Sequence, residues 1–208
     1  MRNRYALSAR FGMGLALGLA LMGPGQAAVL GAKTSPPKLR GTVVWPPGAR
    51  AGFPFALHDQ MGRMVTFNSL RGHVAAVTFL DAHCTSACPV TGREMALAQR
   101  ELGGSRSPLT IVIIDVNPAK DTPASERAFA HKVKLSGDWH WLLGSRTQLS
   151  RVWRVWGTYV KPTRREVIHT AAVYLIDQRG FVRVADEVPF RPDWLAGSVR
   201  ALLSHHKT

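Results

Sequence analysis

Two stretches of the chain are apolar at nearly every position. "HVAAVTFLD" (residues 73–81) is rich in β-branched residues and ends in a polar one, and "PLTIVIID" (108–115) has the same character. Such unbroken runs predict strands buried on both faces, which is the pattern of a parallel sheet covered by helices. Between them a helical pattern runs from about Pro89 to Leu102, with proline suited to its first turn and Gly92 an unexpected interior residue. Strand, helix and strand in so short a span make a βαβ unit with a right-handed crossover.

The remaining pattern adds elements on either side. "FPFALHDQMGRMVTFNSLRG" predicts a hairpin turning at Met61-Gly62. "DTPASERAFAHKV" has a Thr–Pro helix start, and "GSRTQLSRVWRVWG" places Leu149, Val152, Trp153 and Trp156 on one helical face with Arg151 and Arg154 opposite. "EVIHTAAVYLID" and "FVRVAD" predict a late hairpin around Gln178-Arg179-Gly180, and "RPDWLAGSVRALLSHH" a closing helix. The expected fold is therefore α/β: a thioredoxin-like central mixed sheet flanked by helices, with an added N-terminal hairpin.

The N-terminus changes the picture of where the protein works. Arg2, Arg4 and Arg10 precede the apolar "FGMGLALGLALM", and Pro24, Gly25 and Ala27 suit a cleavage site. Residues 1–27 read as a signal peptide or N-terminal membrane anchor, the apolar run being short of the ~20 residues that span a bilayer. Residues 28–52, rich in Pro and Gly, read as an irregular lead-in, and 53–208 as one domain. The expected location is outside the cytoplasm: the periplasm or the outer face of the inner membrane.

The net charge of +14 falls to +11 without the three arginines of the signal. A basic exported protein suits an acidic partner or an anionic membrane surface. Export and the amphipathic reading of the Arg/Trp helix argue against nucleic acid as the partner of "RTQLSRVWRVWGTYVKPTRR".

The candidate chemistry lies in "FLDAHCTSACPVTG", which holds Cys84 and Cys88, the chain's two cysteines. The loop follows the carboxyl end of the first buried strand, where open α/β sheets place their sites. A structural disulfide so closely spaced would restrict the unfolded chain little. A dithiol–disulfide redox pair would draw on helix N-terminal N–H groups to stabilise a thiolate. Thioredoxin-type enzymes, however, separate their cysteines by two residues rather than three. A metal clip tolerates the spacing well, and two soft sulfurs with an imidazole suit Cu(I) or Cu(II). Of eight histidines, His169 in the late hairpin is the best placed third ligand, with His83 beside Cys84 as its rival. His58, His73, His131 and His140 are expected in turns or helices, exposed and unpartnered, and His205 and His206 in a tail.

In order, "PFALHDQMGRMVTFNSLRG", "VTFLDAHCTSACPV", "DVNPAKDTP", "WLLGSRTQLSRVWRVWG" and "VIHTAAVYLIDQRG" resemble the successive motifs of the Sco/SenC family, over about Phe53 to Leu203. The resemblance implies copper held by Cys84, Cys88 and His169. It also implies a role in delivering copper to, or reducing the thiols of, the binuclear copper centre of cytochrome c oxidase. The implied partners are the copper-accepting subunit of that oxidase and another periplasmic copper or thiol carrier. Asn117 stands where the family usually has Asp. Without the resemblance, a periplasmic thiol–disulfide reductase with no metal role remains the alternative.

Overall fold

The structure is a computed structural model, and it describes residues 38–204. The expected signal segment 1–27, the start of the lead-in, and His205 and His206 lie outside the described residues.

The two apolar runs form β4 (Val74–Leu80) and β5 (Leu109–Asp115), paired in parallel from Val74 opposite Leu109 to Leu80 opposite Asp115. They are the centre of a six-stranded sheet in the order β1-β10-β9-β4-β5-β6. On the right, β6 (Trp139–Leu142) pairs with β5 and continues the parallel half. On the left, β9 (Ala172–Ile176) and β10 (Val182–Glu187) form the expected hairpin, with β9 antiparallel to β4. The N-terminal hairpin is β2 (Ala56–His58) with β3 (Met64–Thr66), standing apart from the main sheet.

Alternation along β4 and β5 explains why both faces are covered. Val74, Ala76, Leu80, Leu109, Ile111 and Ile113 pack beneath α1 (Ala87–Glu101), α2 (Pro123–Val133) and α4 (Pro192–Ser204). Ala75, Val77, Phe79, Val112 and Ile114 pack on the other face against α3 (Arg146–Trp156) and the β2–β3 hairpin. The apolar stripe of α3 is the expected one: Leu149, Val152, Trp153 and Trp156 are buried while Arg151 and Arg154 are exposed. Trp153 also donates its indole N–H to the Asp115 carbonyl at 2.9 Å, pinning α3 to the end of β5. Helix starts follow capping chemistry. Thr122 and Ser145 each close a capping box, and Pro123 takes the first turn of α2.

Gly92 now has a reason. A Cβ at this position would lie 2.9–3.1 Å from the side chains of Phe129 and Val133, so glycine lets α1 and α2 approach closely.

Four expectations need correction. Helix α1 begins at Ala87 rather than Pro89, because Ser86 is its N-cap and proline is tolerated anywhere in a first turn. The lead-in is not wholly irregular, since Val43–Val44 forms β1 on the edge of β10. The segment "EVIHTAAVYLID" is not one strand: β8 (Val167–His169) ends before β9 and pairs instead with β7 (Val160–Pro162) as a separate ribbon. His140 is neither exposed nor unpartnered. It lies in β6, half-buried, with Nδ1 3.0 Å from Asp59 Oδ2 and Nε2 3.4 Å from Asp138 Oδ1.

Candidate metal and thiol centre

The loop after β4 and the first turn of α1 place the cysteines differently. Cys84 sits in the loop, half-buried, and its N–H donates to the Asp81 carbonyl at 3.2 Å. Cys88 is in the first helical turn and 1% exposed. Both are free thiols, close enough for one sulfur to bond the other. The Cys88 S–H donated to the Cys84 sulfur is the largest influence on Cys84. Despite partial burial, that bond, the Cys88 and Ser86 N–H groups and the Ser86 hydroxyl bring the Cys84 thiol down to about 5. The same bond works the other way on Cys88: it is held protonated by its neighbour's sulfur and by burial, and its pKa moves far up. The pair at neutral pH is thus one thiolate and one thiol, with the less buried partner carrying the charge.

The third member comes from the ribbon. His169 Nε2 lies 3.6 Å from Cys88 Sγ. Its Nδ1 is 3.0 Å from the Thr170 carbonyl, an acceptor only, so Nδ1 carries the proton and Nε2 presents a lone pair toward the sulfurs. Backbone and hydroxyl bonds between Tyr159 and Thr170, both 3.0 Å, close the base of the ribbon and set where His169 projects. His169 and Cys88 are therefore brought into contact, with Cys84 beside Cys88, although the three donor atoms do not all lie within 4.8 Å of one another. Two sulfurs and one imidazole are a donor set that matches a soft metal ion.

His83, the rival ligand, is directed elsewhere. Its Nδ1 is 2.8 Å from Asp121 Oδ1, and its N–H donates to Asp81 Oδ1 at 2.7 Å. Beneath it lies a group that sequence reasoning missed. Asp81 ends the β4 run, Asp115 ends β5, and Asp121 and Glu126 come from the turn into α2 and its first turn. All four are buried. Desolvation, with Asp121 nearby, pushes Asp115 up to about 9 and Glu126 up to about 8, and desolvation also raises Asp121. Asn117 bridges the set: its side-chain amide donates to Asp81 Oδ2 at 3.1 Å and its backbone N–H to Asp115 Oδ1 at 2.6 Å. The signal available in sequence was that both buried parallel strands end in aspartate. The 38-residue separation of His83 from Asp121 hid the pairing. A cleft of about 420 Å³ opens between the cysteine loop and the ribbon, lined by Asp81, His83, Cys84, Asn117, Pro162 and Arg165 among others.

Comparison with known proteins decides the family. The SCO1/SenC family model matches residues 46–203. The chain belongs to the SCO1/SenC family. Among relatives of this SCO1/SenC protein, the SCO1 protein homolog of Bacillus subtilis strain 168 is 30% identical over 134 residues, 62% of this chain and 69% of the relative. The structure of Bradyrhizobium japonicum ScoI, solved with copper bound, superimposes with a TM-score of 0.65 at 27% identity, covering 73% of this chain and 99% of that one. BsSco, described with a disulfide switch and as a member of the Sco family of cytochrome c oxidase assembly proteins, superimposes at 0.64 with 26% identity, covering 76% and 96%. The thioredoxin-like α/β architecture read from the sequence is the fold these proteins share.

Proposed function

We propose that this SCO1/SenC protein binds one copper ion through Cys84, Cys88 and His169. It then passes the ion to the copper-accepting subunit of cytochrome c oxidase at the binuclear copper centre. The observation that carries the reading is the bare Nε2 of His169 held 3.6 Å from Cys88 Sγ beside a half-exposed Cys84. Three protein donors leave copper, the cargo, open on the cleft side. Thiolates of the acceptor enter there and displace the chain's ligands one at a time. Copper bound to the Bradyrhizobium japonicum relative supports the metal assignment. The proposed setting is the periplasm or the outer face of the inner membrane, with residues 1–27 as signal or anchor. Another periplasmic copper or thiol carrier would then reload or reduce the protein.

Titrating the reduced protein with Cu(I) against a chromophoric chelator tests this. One equivalent is expected, with affinity weakened at least about a hundredfold by Cys84→Ser or His169→Ala. An unchanged stoichiometry and affinity in both variants would sink the assignment. Protons leave as the metal enters, so uptake weakens as the pH is lowered.

The low pKa of Cys84 beside a protonated Cys88 supports a second reading, reduction of a target's disulfide. The Cys84 thiolate attacks one target sulfur, and the other leaves as a thiolate. Cys88 then gives up its proton and attacks the mixed disulfide at Cys84. The chain ends as the Cys84–Cys88 disulfide and the target as a dithiol, a two-electron exchange. Turnover on a disulfide substrate by metal-free protein that survives His169→Ala selects this role; none selects copper delivery.

A further inference from the structure

The buried acids around His83 form a second centre made of oxygen and nitrogen rather than sulfur. Asp81, His83 and Asp121 each present a donor atom, and these atoms lie within 4.8 Å of one another. The Nδ1 of His83 is 2.8 Å from Asp121 Oδ1 and 4.0 Å from Asp81 Oδ1. Donors around a tetrahedral ion with bonds near 2.1 Å sit about 3.4 Å apart, so these spacings straddle what such an ion needs.

Backbone and amide bonds orient both carboxylates. Asp121 Oδ2 accepts the Ala82 N–H at 3.0 Å, and Asp81 Oδ2 accepts the Asn117 amide at 3.1 Å. Asp121 therefore turns its Oδ1 to the imidazole, while Asp81 Oδ1 accepts the His83 backbone N–H at 2.7 Å on the same side, in the manner of outer partners that orient metal ligands.

A further observation points to a cation. The Asp115 carboxyl is 0% exposed, and among the described residues its Oδ2 meets no donor but a proton shared with the Asp121 carboxyl. Both oxygens of Glu126, also 0% exposed, have no partner among the described residues. Among the described residues, the Lys and Arg ion pairs lie elsewhere, at Asp59, Asp177 and Asp193. The Asp81 and Asp121 carboxyls beside His83 thus belong to a buried acid cluster that no Lys or Arg ion pair among the described residues answers. Entry is open, since the His83 side chain is 46% exposed and it lines the cleft with Asp81.

We propose that Asp81, His83 and Asp121 form a divalent transition-metal site, supported by Asp115, distinct from the cysteine–His169 centre. One imidazole and two carboxylates select borderline ions such as Zn²⁺, Co²⁺ or Cu²⁺, where the thiols select Cu(I). The chain then holds hard and soft donor sets side by side along one cleft.

The test uses the full chain carrying Cys84→Ser and Cys88→Ser, so that its outcome is independent of the thiol centre. Titrate it with Co²⁺, following the ligand-field bands, and with Zn²⁺ by calorimetry. One equivalent of either ion is expected, with spectra lacking thiolate charge transfer. Adding His83→Ala or Asp81→Asn should weaken binding tenfold or more. His83 is half-exposed, so its loss leaves the fold intact, and far-UV circular dichroism checks this for both variants. Failure to take up one equivalent overturns the site. So does binding that is indifferent to His83→Ala, or that disappears on removing residues 205–208 with their two histidines instead.

Discussion

Two groups of buried carboxyls serve the same sheet in opposite ways. Asp59, in the turn of the β2–β3 hairpin, is 1% exposed, yet every lone-pair direction is answered. Its Oδ1 accepts the N–H groups of Met61 and Arg63, both at 2.9 Å, and its Oδ2 accepts Arg63 Nε at 2.9 Å and faces His140 Nδ1 at 3.0 Å. Burial pushes this carboxyl up, but the Arg63 and His140 bonds outweigh it and hold it at about 2. Glu126 is as buried with neither oxygen answered among the described residues, Asp115 has a donor on only one oxygen, and desolvation raises both, as it raises Asp121 despite its Ala82 and His83 partners. Burial alone does not make a site. A buried charge answered from within stabilises the fold, and one left unanswered holds room for a ligand.

A large loss should come from changing the answered group. Asp59→Ala removes the acceptor of two turn N–H groups and the counter-charge of Arg63 and His140, and should cost roughly 3 kcal/mol in urea unfolding. The opposite sign is expected at the other group. Asp115, raised from 3.8 to about 9, must take up a proton on folding at pH 7. Asp115→Asn keeps the shape of the protonated acid without that penalty, and metal-free protein should gain about 2–4 kcal/mol. Destabilisation by Asp115→Asn would erase the contrast.

The difference between the two groups was only partly legible in the sequence. The sheet and its helices were readable because unbroken apolar runs and a 3.6-residue stripe report burial directly, as with β4, β5 and α3. The two cysteines were readable as a site because their spacing is local. The splitting of "VIHTAAVYLI" was not, since Thr170 and Ala171 give no turn signal. What separates β8 from β9 is pairing with β7 and the Tyr159–Thr170 bonds, both tertiary. Strand β6 was missed because "WHWL" has a histidine inside it, and that histidine is tolerated only because Asp59 and Asp138 reach it from outside β6. The acid group around His83 needs four separate segments to meet, which periodicity does not report.

The finest test of the contrast is the pH dependence of stability, because the two groups act on different limbs. Asp59 is lowered, so its contribution is present above pH 4 and is lost as the pH falls toward 2. His140 is raised, chiefly by Asp138 and against the effect of burial, so its contribution is present below 6.5 and is lost as the pH rises through its folded value. Asp115 and Glu126 are raised, so their penalty is absent near pH 4 and grows toward pH 8–9. Metal-free protein should therefore be most stable near pH 4 and weaken progressively as the pH rises toward 8–9. In the Asp115→Asn, Glu126→Gln double variant the alkaline fall should shrink to the part that His140 supplies. Adding His140→Gln should flatten what is left. Urea midpoints across this range measure all three slopes, and an alkaline slope untouched by the double variant would mean that the acids near His83 are already answered by a charge from elsewhere.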